Sequence, residues 1–177
     1  MKRNVWVLLG TLAREGEERE KRDFMESLQE VKPSERLKIM QFVRGYGDKP
    51  VHYEYLEDLL DDISRNDLGC VEPTRFVYSG NNEFPFGARE QWTDSCNLLA
   101  VKEGVAIAYD RNDKTIEAFR QAGFDAVGAA ELLEKLEAGL LTPDDVQDTI
   151  ILLPSAELSR ARGGSHCMSM PLLRDSV

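Results

Sequence analysis

Apolar positions along the chain come in short runs separated by charged stretches. Val5-Trp6-Val7-Leu8-Leu9 has strand length and stops at Gly10, which predicts a buried strand. From Arg14 to Val31 the residues Glu15, Glu17, Glu18, Arg19, Glu20, Lys21 and Arg22 surround Phe24, Met25 and Leu28 at helical spacing. That pattern predicts a solvated helix with one packing stripe. Pro33-Ser34-Glu35-Arg36 predicts the start of a second helix, with Ser34 as N-cap and Leu37, Ile39, Met40 and Phe42 on its buried side. Gly45, Gly47 and Pro50 break the pattern, so residues 1–50 read as an amino-terminal helical segment set apart from residues 51–177.

In that second unit helical spacing returns from Tyr53 to Ile63, where Tyr55, Leu56, Leu59, Leu60 and Ile63 alternate with an acidic face. Asn66, Gly69 and Pro73 mark a loop, and Arg75-Phe76-Val77-Tyr78 reads as a strand. Asn97 to Val101 and Val105 to Tyr109 are two further strand-like runs joined by Lys102-Glu103-Gly104, a hairpin signal. Asp113 is a candidate cap for a helix over Lys114 to Ala122, which ends at Gly123 in the C′ position. With the short strand Asp125-Ala126-Val127, the stretch from Asn97 to Val127 reads as one ββαβ unit. A helix over Ala129 to Ala138, a turn at Thr142-Pro143-Asp144-Asp145 and a buried strand over Thr149 to Leu153 complete an α/β pattern. Leu132 to Asp148 looks like an elaboration inserted between two strands, and no internal repeat is visible.

At 177 residues the chain fits one domain with a real core. Its net charge of −10, from 32 acidic against 22 basic residues, argues against binding a nucleic-acid backbone and leaves room for a cationic substrate. The run after Met1-Lys2-Arg3 is too short for a secretory signal, and none is long enough to cross a bilayer, so a cytoplasmic location is expected, with no membrane partner. Cys70, Cys96 and Cys167 are odd in number and widely spaced, which suits reduced thiols better than disulfides or a zinc site, so no metal is expected.

The chemistry concentrates in the last fifteen residues, Gly163 to Val177. Gly163 and Gly164 allow the backbone to approach a ligand closely, and Cys167 follows with His166 beside it. Arg160 and Arg162 supply fixed positive charge that would favour a thiolate, so Cys167 reads as a nucleophile. A lone cysteine is more often a small buried apolar residue than a catalyst. If the segment is extended, His166 and Cys167 point to opposite faces, which makes His166 a loop or substrate contact rather than the direct base. His52, the other histidine, lies in Val51-His52-Tyr53-Glu54 and reads as a surface residue. The residues by themselves offer a nucleophile and cationic neighbours without a base.

Four blocks carry a resemblance. Arg89-Glu90-Gln91-Trp92-Thr93-Asp94-Ser95-Cys96-Asn97, Tyr109-Asp110-Arg111-Asn112, Ser155-Ala156-Glu157-Leu158 and Arg162-Gly163-Gly164-Ser165-His166-Cys167-Met168-Ser169-Met170-Pro171-Leu172 stand in the same order as in the carboxyl-terminal half of arginine deiminase. The chain resembles that family from about Phe76 onward, and Tyr53 to Ile63 is similar to a preceding helix. The resemblance implies a partial, pentein-like α/β propeller of ββαβ modules, incomplete relative to the fivefold family fold. It implies hydrolysis of L-arginine to L-citrulline and ammonia without metal or organic cofactor. Cys167 falls at the nucleophile, and Arg162 at the arginine that would pair with the substrate α-carboxylate, with Gly163, Gly164 and His166 beside them. The family draws its His-x-Asp acid/base motif and its guanidinium-binding carboxylates from the amino-terminal half, for which no match is visible here. Three readings follow: a deiminase portion active when a complementary amino-terminal chain or the uncut parent supplies the other half, an inert propeller fragment that binds a ligand or partner, and an amidinotransferase-like relative; a homo-oligomer is a further candidate partner. The Arg-Glu-Gln-Trp block and the Gly-Gly-x-His-Cys-Met ending favour deiminase over amidinotransferase.

Overall fold

The computed structural model describes residues 2, 4–9, 39–43, 49–161 and 163–173. Their elements in order are β1 (Val5–Leu8), β2 (Ile39–Gln41), β3 (Val51–Tyr53), α1 (Leu56–Asp62), β4 (Arg75–Tyr78), α2 (Phe86–Trp92), β5 (Leu99–Lys102), β6 (Val105–Tyr109), α3 (Asp113–Gln121), β7 (Asp125–Gly128), α4 (Ala129–Glu137) and β8 (Thr149–Leu153). β1 pairs in parallel with β4 and β2 antiparallel with β3, while a four-stranded sheet runs β5-β6-β8-β7. Within it β5 and β6 form the expected antiparallel hairpin, and β8 pairs in parallel with both β6 and β7. Among the described residues no sheet closes into a barrel, and no helix is long and apolar enough to cross a membrane.

β7 therefore does not lie beside β6: the chain leaves through α4 and returns as β8 between them. That central position explains the continuous apolar reading of β6 and β8, because helices cover both faces of a parallel pair. Alternate residues divide between two cores. Ala106, Ala108 and Ile150 face Ala118 and Phe119 of α3, in a cluster that also takes in Val5 of β1 and Val77 of β4. Val105 faces Leu132 of α4 and Val146, with Val127, Leu136 and Ile151 packed around them. α3 thus brings the β1–β4 pair and the large sheet into one core.

The helical expectation for Ser34 to Phe42 fails where it can be read. Ile39–Gln41 is a strand registered against Val51–Tyr53, and Met40 and Phe42 are exposed. A short apolar run has too few turns to declare its period, and here cross-strand pairing decides it. The helix expected over Arg14 to Val31 and the cap at Ser34 lie outside the described residues. The two elements described within residues 1–50 are strands, paired with β4 and β3 beyond residue 50. α1 forms within the predicted span and runs on into a π-helical turn, Ile63–Asp67. This wider turn presents the buried Ser64, whose Oγ accepts the Trp6 indole N–H at 2.8 Å.

α2 has no apolar stripe to announce it, since its buried residues are Gly87 and Glu90. Glu90 instead serves the next helix. Its carboxylate accepts the backbone N–H of Lys114 at 2.9 Å and of Thr115 at 2.8 Å, and the Thr115 hydroxyl at 2.6 Å. Asn112, at the N-cap position, makes no capping bond of its own, and Asp113 is the first helical residue rather than the cap. The Asn112 amide is turned to Thr93, donating to its carbonyl at 3.1 Å and accepting from its hydroxyl. At the other end Arg75 donates to the Ala122 carbonyl at 2.6 Å. A negative group at the N-terminus and a positive one at the C-terminus both complement the helix dipole.

Glu90→Gln should place an NH₂ donor against these donors and lower stability by about 1–3 kcal/mol. Urea denaturation at neutral pH, read as a fall in midpoint at constant slope, checks this; an unchanged midpoint would show the cap to be dispensable.

Candidate active site

Two segments distant in sequence meet around Cys167. One is the turn that leaves α2, Thr93 to Asn97; the other is the terminal turn beginning at Gly163. Gly163 has φ +142 and donates its N–H to Asp94 Oδ2 at 3.2 Å, while its carbonyl accepts the Tyr109 hydroxyl at 2.8 Å. Such a φ is a glycine conformation. Gly164 is required for a different reason: a Cβ there would stand 2.3 Å from Cγ and 2.6 Å from the carbonyl oxygen of Asn97. The buried Ser165 closes the junction, with its Oγ 3.0 Å from the Ile107 carbonyl and 3.3 Å from that of Asn97.

These contacts place the sulfur. Cys167 is exposed, and the Asn97 side-chain NH₂ points at its Sγ from 2.8 Å. A donor so aimed complements negative charge on a sulfur nucleophile. The thiol opens into a hollow of about 570 Å³ whose wall includes Gln91, Asp94, Cys96, Asn97 and His166. His166 and Cys167 share that wall, contrary to the expectation for an extended segment, because residues 165–168 form a turn in which Met168 N–H returns to the Gly164 carbonyl at 3.2 Å.

Burial pushes the Tyr109 phenol up, and the negative charges of Asp94 and Cys167 add to the effect. Burial also pushes the Cys96 thiol up, partly offset by the Ser95 hydroxyl. Arg160 is placed differently from expectation. Arg160 pairs with Glu157 at 3.3 Å and lines a separate depression with Arg89 and Arg111, so its charge is not presented to the sulfur. Arg162 lies outside the described residues. His52 sits on β3 opposite Met40 and does not line the hollow. Cys70, Cys96 and Cys167 are all free thiols, and among the described residues no three metal-ligating side chains cluster.

Asp94, Asn97, Tyr109 and Ser165 escaped residue-by-residue reading. No spacing rule links Asn97 to a sulfur 70 positions later. The signal that did exist was their membership of the blocks Thr93-Asp94-Ser95-Cys96-Asn97 and Tyr109-Asp110.

The sequence profile of arginine deiminase matches residues 22–174. Arginine deiminases of Staphylococcus aureus strains JH9, Newman and Mu3 are each 32% identical over 123 residues, covering 70% of this chain and 23% of the relative. The chain therefore belongs to the arginine deiminase family. It spans about a quarter of the length of the curated relatives it matches, and its profile match begins well upstream of Phe76.

Removing the Tyr109 hydroxyl should cost about 1 kcal/mol at neutral pH. The raised phenol gives this a definite pH dependence. Below the free tyrosine value of about 10 the contribution is complete, and as pH rises through the higher folded value it is lost. The stability gap between the native chain and Tyr109→Phe should therefore narrow between about pH 8 and about pH 11. Urea midpoints at the two pH values check this, and a gap that widens would contradict it.

Proposed function

We propose that this chain is the carboxyl-terminal portion of an arginine deiminase, with residues 51–177 as propeller modules of the ββαβ type and residues 1–50 leading into them. The observation that carries the proposal is the exposed Cys167 sulfur held under the Asn97 amide, in a turn that only Gly164 permits. In this reading the Cys167 thiolate attacks the guanidinium carbon of L-arginine, forming a C–S bond. The C–N bond to the terminal nitrogen then breaks, and that nitrogen leaves as ammonia once protonated. Water attacks the same carbon, the C–S bond breaks, and L-citrulline departs as the sulfur regains its charge. Arg162 takes the substrate carboxylate, for which a forked guanidinium is suited, and Gly163, Gly164 and His166 shape the wall. No cofactor enters the reaction, which belongs to the cytoplasm.

The proton carrier and the guanidinium-binding carboxylates come from a complementary amino-terminal part, on another chain or on the longer protein. One surface supports this. Met170, Leu172 and Leu173 are 77%, 89% and 87% exposed just past the nucleophile, an apolar strip of the sort that a further part of a propeller would cover.

A second reading is a binding module without turnover. It is favoured by the hollow itself, where Asp94 is the one carboxylate and His166 the one imidazole among the described lining residues.

Citrulline should form when the purified chain is mixed with a separately expressed amino-terminal half, and not with the chain alone. Cys167→Ala should lower the mixture's rate by about 10³-fold or more. Arginine binding with no citrulline in the mixture would favour the binding module. Undiminished turnover by Cys167→Ala would refute the nucleophile.

A further inference from the structure

We infer that the depression lined by Arg89, Arg111 and Arg160 is a binding site for a phosphate group, separate from the hollow into which Cys167 opens. The inference goes beyond the proposed function and does not rest on it. The three arginines come from three places in the chain: Arg89 from the exposed side of α2, Arg111 from the junction of β6 and α3, and Arg160 from the segment that follows β8. They share one depression of about 670 Å³, whose other walls include Pro154, Ser155 and Ala156. In a chain with a net charge of −10, three guanidinium groups gathered in one place run against the field of the whole molecule.

Two carboxylates, Asp110 and Asp113, line the same depression, and among the described residues neither forms an ion pair with an arginine. Asp110 is spent on Ser155, whose N–H and hydroxyl it accepts at 3.2 Å and 3.1 Å. Arg111 is half-buried, and its Nη1 donates to the Ser159 hydroxyl at 2.7 Å. Ser159 in turn donates to the Ser155 carbonyl at 3.0 Å. A neutral partner thus holds the guanidinium in place, and no described carboxylate pairs with it. A cation partly withdrawn from water without a counter-ion is incompletely compensated, and a bound anion supplies what is missing. Arg160 reaches Glu157 in a pair whose side chains are 70% and 81% exposed, a contact too wet to hold it. The Arg89 side chain bonds nothing among the described residues. A carboxylate presents two oxygens along one edge and suits a single fork, whereas a tetrahedral phosphate presents oxygens in several directions, so guanidinium groups arriving from separate elements can each meet one. The free ion and a small phosphate ester share that chemistry.

The competing account is that the arginines are merely solvated and that Arg111 only fastens Ser159. Isothermal titration of the full chain with inorganic phosphate and with glycerol phosphate, in chloride at fixed ionic strength, separates the two. Saturable binding of at least one of them is expected, and the tighter of the two identifies the free ion or the ester as the source. Arg89→Gln removes an exposed charge that the described fold does not use, and Arg160→Gln removes a surface pair, so neither disturbs the Arg111 contact with Ser159. Each should weaken binding by about tenfold or more, as the loss of one charge-assisted contact implies. Heats no larger than those of matched chloride overturn the inference. Binding that either variant leaves unchanged also overturns it, because the anion then sits elsewhere on the molecule.

Discussion

Glu90 lies almost wholly out of water, and a carboxylate so placed is tolerable only if its lone pairs are claimed. Lys114 and Thr115 claim them with two backbone N–H groups and a hydroxyl. The bond network extends from there: Thr115 Oγ1 in turn accepts the Gly80 N–H at 2.8 Å, and Ser79 meets Ser95 at 2.6 Å. The end of β4, α2, the turn after α2 and the start of α3 are thus joined through polar contacts. A helix held this way keeps Phe119 and Ala118 pressed between two sheets, and it keeps the Asp94–Asn97 turn where the terminal turn can dock. An apolar contact of equal area would resist sliding less, because hydrogen bonds are directional while burial is not.

The apolar runs told most of the architecture. β1, β4, β6 and β8 appear where unbroken apolar sequence puts them, and α3 and α4 where the spacing is helical, because burial dominates each of these elements. What escaped was governed by something else. α2 turns a glycine and an acid to the interior, so hydrophobic periodicity had nothing to register. The α3 cap arrives from 24 residues upstream, where a local rule about Asp113 could not find it. β2 is three residues long, too short for a period. The β5-β6-α3-β7 order was legible, whereas the interposition of β8 was not, since strand order is a property of the assembled sheet.

At the site, the sequence pointed to the sulfur and missed its surroundings. Cys167 stands in the open, in keeping with a reactive thiol rather than a core residue. The positive charge expected from Arg160 is elsewhere, and the group actually set against the sulfur is the neutral amide of Asn97. Proximity in sequence is a poor guide to field: Arg160 is seven positions from Cys167 and Asn97 is 70. Negative charge from Asp94, rather than positive charge from Arg160, is what the described residues bring to this hollow, a polarity that suits an approaching cation.

Tyr109 is the last residue of β6, and its hydroxyl holds the Gly163 carbonyl; β8, whose end leads into the same terminal segment, is bonded to β6 along its whole length. Both anchors of the terminal segment therefore grow from adjoining rods of a single slab. The Cys167 thiol inherits its coordinates from that slab, much as a tool inherits its aim from the bench to which it is clamped. Ile150, sealed in the interior far along the strand from the thiol, belongs to the aiming mechanism as surely as the amide that touches the sulfur.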